Sequence, residues 1–83
     1  MKTQVIKKTH LRKGNQSFYV IILLHESGVY QVNYTHADRG LNKVIESHTE
    51  QTTNLTLANE IFASAKEEYI REFGAKIYRT TER

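Results

Sequence analysis

The longest apolar run in the chain is Ser17-Phe18-Tyr19-Val20-Ile21-Ile22-Leu23-Leu24-His25, whose seven central residues are all apolar or aromatic. Turn-like segments bound it on both sides, Gly14-Asn15-Gln16 before and Glu26-Ser27-Gly28 after. It is too short to cross a bilayer as a helix, which takes about 20 residues. Its β-branched and aromatic residues predict a strand. Because the run does not alternate, the strand must present apolar side chains to both sides of a sheet, as a central strand does.

The rest of the chain alternates or turns around it. Residues 3–12 read as a first strand, with Lys2, Lys8, His10 and Arg12 at even positions and Val5 and Leu11 at odd ones. Lys13-Gly14-Asn15-Gln16 reads as a turn, and Ser27-Gly28 as a tight hairpin loop into an alternating third strand, Val29–Thr35. Residues 37–42 read as a loop, and Lys43–Gln51 as a polar fourth strand at an edge. Asn54 is a fitting N-cap. From there Leu55, Ala58, Ile61, Phe62, Ala65, Tyr69 and Phe73 recur at helical spacing, and Gly74 stands where a C′ glycine belongs. A helix over 55–73 follows, then a short strand over 75–80. The predicted fold is α+β, a single domain over residues 1–83. It has a four- to five-stranded antiparallel sheet with one long helix on one face, ββββα with a short C-terminal strand as the optional fifth.

Loop lengths set the register. A two-residue Ser27-Gly28 loop pairs Leu23 with Val32 and Ile21 with Tyr34. A Gly14-Asn15 loop pairs Leu11 with Phe18 and Val5 with Leu24. One face then carries Tyr19, Ile21, Leu23, Tyr30, Val32 and Tyr34, and the other Val5, Leu11, Phe18, Val20, Ile22 and Leu24. A one-residue difference in either loop exchanges one strand's contributions between the faces. One helix covers one face, so something else must cover the second or use it.

Composition narrows the chemistry. With 83 residues and no cysteine, the chain has no disulfide, thiolate metal site or cysteine nucleophile. That suits a reducing compartment, and we expect a cytoplasmic protein without a membrane partner; the three Asn-x-Ser/Thr sequons are then incidental. The formal charge of +3 is unevenly spread. Lys2, Lys7, Lys8, Arg12 and Lys13 open the chain with no acid among them. The sequence holds no glycine-rich phosphate loop, Gly-x-Ser-x-Gly or His-Glu-x-x-His motif. His10, His25, His36 and His48 are isolated, without ligand spacing, and Glu67 and Glu68 are neighbours that diverge on a helix. We expect no enzyme, no metal and no cofactor.

The one feature with partner content is the basic strand. Lys8, His10 and Arg12 project to one side, and Lys13, Arg39 and Lys43 extend the patch. Such a stripe can hold the phosphates of DNA or RNA without sequence readout. The competing reading is an edge strand that its lysines keep from pairing with other chains. The second function hypothesis is a protein-interaction or self-association module. In it Phe18, Val20, Ile22 and Leu24, on the uncovered face, form the interface of a homodimer.

Phe18-Tyr19-Val20-Ile21, then Gly28-Val29-Tyr30-Gln31-Val32, then a helix with Ala58 and Phe62, make a layout that resembles a WGR domain from Ser17 to Tyr78. The resemblance implies an antiparallel sheet followed by a packed helix, often in DNA-associated proteins. The Trp-Gly-Arg signature is absent; His36-Ala37-Asp38-Arg39-Gly40 stands in its place, so Arg39 alone is carried over.

Overall fold

The computed structural model describes residues 3–41 and 43–82; Lys2 of the basic opening and Asn42 of the predicted loop lie outside them. Five strands and one helix follow the order β1 (Gln4–Lys13), β2 (Ser17–Glu26), β3 (Val29–Asp38), β4 (Lys43–Thr52), α1 (Leu55–Phe73) and β5 (Lys76–Glu82). The strands form one antiparallel sheet in the order β4-β3-β2-β1-β5, with the apolar run at its centre. No described helix is long and apolar enough to cross a membrane.

Local chemistry accounts for the connections. Ser27 (φ 52°) and Gly28 (φ 80°) both take positive φ, the requirement of a two-residue type I′ hairpin. The predicted pairs Leu23–Val32 and Ile21–Tyr34 follow from it. At the helix start, the Asn54 side chain accepts a hydrogen bond from the Leu57 N–H at 3.1 Å. At its end, Gly74 (φ 69°) donates its N–H to the Tyr69 carbonyl, releasing the chain into β5.

The β1–β2 connection departs from expectation. Its loop holds three residues, because Lys13 pairs with Ser17. Leu11 therefore faces Tyr19, not Phe18, and moves to the helix side, where it is fully buried. A bulge between Val5 and Lys7 then absorbs one residue and restores the expected Val5–Leu24 pair. Ile6, at the bulge, packs against the core.

The core lies between α1 and one sheet face. Ala58, Phe62, Ala65 and Tyr69 meet Leu11, Tyr19, Ile21, Leu23 and Val32 there. Two alanines at the middle of the stripe bring the helix close, and the rings of Tyr69 and Tyr19 stack at 4.6 Å between centroids. Leu55, which the periodicity assigns to the apolar stripe, is exposed, and the buried stripe begins at Ala58. β4 is the expected polar edge. β1 is not an edge, since β5 pairs with it along Lys7–Arg12.

Candidate nucleic-acid interface

Residues paired across a sheet project to the same side, so the register defines the face that α1 leaves open. Three rows cross it. The first is Val44, Ala37, Phe18, Arg12 and Lys76; the second Ser47, Thr35, Val20, His10 and Arg79; the third Thr49, Asn33, Ile22, Lys8 and Thr81. Read along the strands instead, the face has three bands. β1 and β5 form a basic band, β2 an apolar one, and β3 with β4 a band that is apolar at Ala37 and Val44 and carries amides and hydroxyls beyond them.

The predicted residues divide over this frame. Lys8, His10 and Arg12 lie together in the basic band, and Phe18, Val20, Ile22 and Leu24 form the adjoining apolar band, each partly buried. Lys13 ends β1, exposed, at the parity of the helix side. Arg39, in the β3–β4 turn, and Lys43, at the start of β4, line a shallow pocket of about 420 Å³ with Phe18, Ala37, Val44 and one acid, Asp38. The Arg39 N–H donates to the Gln16 carbonyl at 2.6 Å, tying this turn to the β1–β2 loop. Thus the two candidate sites, basic row and apolar interface, are neighbouring parts of one face.

β5 adds what sequence reasoning missed: Lys76, Tyr78 and Arg79. The Tyr78 ring lies 5.8 Å from that of His10 and 5.4 Å from the Arg12 guanidinium carbon, a cation–π contact. The segment Lys76-Ile77-Tyr78-Arg79 carries the composition of a basic strand. Nothing local shows that it pairs with β1 rather than with β4.

The field of the basic band is visible at His10. Burial lowers its pKa below the ordinary 6.5, and the charges of Lys8 and Arg79 lower it further. Among described side chains, Glu26 is the one acid that the strand register assigns to the open face, at the far end of β2. The amide band is ordered within itself. Asn33 donates to Thr49 Oγ1 at 2.8 Å, Thr35 donates to Asn33 Oδ1 at 3.1 Å, and the Thr35 and Ser47 hydroxyls are 3.3 Å apart.

The helix side has the opposite character. A groove of about 340 Å³ between α1 and β4 is lined by Glu50, Glu60 and Glu68 with Tyr34, Leu57 and Ile61. Burial, followed by the charge of Glu46, pushes the Tyr69 hydroxyl up to about 12. His48 pairs with Glu46, and His36 sets its ring against Tyr19 at 4.4 Å. Among the described residues no three side chains of the metal-ligating kinds converge.

Compared with known proteins, the chain matches no family model, and no curated protein or solved structure is detectably similar to it.

Proposed function

We propose that this is a non-enzymatic, cytoplasmic binding module that holds nucleic acid, without sequence readout, on the open face of its sheet. The observation that carries this reading is the position of β1. Lysines that guard an edge belong on an edge strand. Lys8 and Arg12 stand one strand in, on a strand hydrogen-bonded on both sides. Their charge is therefore unexplained by edge protection, and Lys76 and Arg79 on the edge strand β5 stand beside them. Four cations gathered on β1 and β5, with Glu26 at the far end of β2 and Asp38 across the sheet beside Arg39 and Lys43, suit a polyanion.

Self-association is the rival, and the uncovered apolar band of β2 supports it. Charge opposes it. Two copies packed open face to open face would bury Lys8, Arg12, Lys76 and Arg79 from each against a single open-face acid, Glu26, and unpaired buried charge is costly.

Binding to random-sequence DNA and RNA, titrated over salt, tests the proposal. With four phosphate contacts the log–log slope should be about −3 on single strands. Negligible binding at low salt overturns it. A monomer–dimer equilibrium in sedimentation that Ile22→Lys abolishes, without nucleic-acid binding, selects the rival.

A further inference from the structure

We infer that the open face is built for a single polynucleotide strand running along β1, and not for a duplex. The inference rests on the nucleic-acid reading above and names its substrate class.

The basic band is narrow. β1 and β5 are neighbours, about 4.8 Å apart, so the band is a track for one sugar-phosphate backbone. Along β1, Lys8, His10 and Arg12 recur every second residue, a step of about 6.8 Å. That step is comparable with the phosphate repeat of an extended single strand.

What lies beside the track decides between strand and duplex. Phe18, Val20 and Ile22 pair directly with Arg12, His10 and Lys8. A duplex turns phosphates and sugars outward and keeps its base faces stacked inside. Docked on the cations, it would press charged groups onto this apolar column. A single strand has free base faces, which stack on an aromatic ring such as Phe18 regardless of sequence and lose water against the aliphatic Val20 and Ile22 beside it. Tyr78 offers a second such surface within the track, 49% exposed and already flanked by Arg12 and His10.

Beyond the apolar column stands Asn33, opposite Ile22. Its amide donates one N–H to Thr49 and accepts from Thr35, which fixes its orientation and leaves its second N–H for another acceptor. Along this row, from Lys8 through Ile22 to Asn33, the face presents cation, apolar surface and amide. A nucleotide laid across it presents phosphate, base face and base edge in the same order.

The test measures anisotropy of a labelled random 20-mer as single-stranded DNA, as single-stranded RNA and as duplex DNA, at one low salt concentration. At least one single strand should bind about tenfold or more tightly than the duplex. Phe18→Ser should weaken single-strand binding by about tenfold, the effect of losing a stacked base, and leave duplex binding unchanged. Phe18→Leu, which keeps the apolar volume and removes the ring, gives the same comparison should Phe18→Ser not fold. Duplex binding equal to or tighter than both single strands overturns this inference and leaves the nucleic-acid reading standing. So does an equal loss on both substrates in a folded variant. Failure of all three probes to bind overturns the reading itself.

Discussion

The two faces of the sheet are made from the same strands and have opposite fates. On the helix side, side chains from β1, β2 and β3 meet α1 and lose their water: Leu11, Ile21, Leu23 and Val32 are fully buried. On the open side, Val20 and Ile22 belong to the same apolar run and stay partly buried, flanked by neighbours within the sheet and covered by no described element. The electrostatics divide likewise. Burial and acids raise the Tyr69 pKa on one side, while burial and cations lower that of His10 on the other. Folding is thus driven mainly from one face, and the other is left uncovered by any described element. An apolar residue here is informative only with its face specified.

The sharpest way to break this comparison is to remove packing from the helix side. Phe62, 3% exposed and at the middle of the α1 stripe, should cost about 3–5 kcal/mol when changed to alanine. Leu11→Ala should cost about 2–5 kcal/mol by the same mechanism. Ile22→Ala, on the open face, should cost clearly less than Leu11→Ala in the same denaturant titration. Equal losses at 11 and 22 would mean that the open face is covered in solution.

Charge reversal on the open face should do the converse. Lys8→Glu combined with Arg12→Glu should keep the melting temperature within a few degrees, since surface changes usually cost little. It should reduce nucleic-acid affinity by about a hundredfold or more, as two phosphate contacts become repulsive. Unchanged affinity in a folded double mutant would move the partner elsewhere.

A smaller effect is expected at Thr9, which points into the core side of β1. It is 1% exposed and its hydroxyl has no hydrogen-bond partner. Thr9→Val keeps the shape and removes the cost of burying that hydroxyl, so thermal unfolding should show a gain of about 1 kcal/mol. A loss would reveal a partner, such as a bound water.

The smallest effect concerns His10, which faces Lys8 and Arg12 along β1 and Lys76, Tyr78 and Arg79 from β5. Its folded pKa lies below the unfolded value of 6.5. In the window below 6.5 the unfolded chain therefore binds more protons, and His10 makes stability fall as pH falls. Bound phosphate would have the opposite preference and favour the protonated ring, so affinity should rise over the same window. Comparing the parent with His10→Gln at pH 7 and pH 5, by melting and by binding, isolates both signs. Parallel pH profiles would show that the ring does not titrate with either process.

Much of the fold was legible in local chemistry. The Asn54 cap, the Ala58–Tyr69 stripe and Gly74 delimit α1, and Ser27-Gly28 sets the β2–β3 register, because these signals act within a few residues. Legible too were the basic row Lys8, His10, Arg12 and the doubly apolar β2. The face of Leu11 was not. It depends on one residue in the Gly14-Asn15-Gln16 loop, and a period of two turns that residue into a change of side. Nor does the sequence say that β5 pairs with β1, since strand order follows from which edge the chain reaches after α1 has crossed the sheet. That single tertiary choice moves β1 from edge to interior and brings Lys76, Tyr78 and Arg79 beside Lys8 and Arg12. Local spacing determined which residues share a strand face. Only long-range pairing, where the energy lies in contacts between distant segments, decided which faces meet the helix and which residues share the open one.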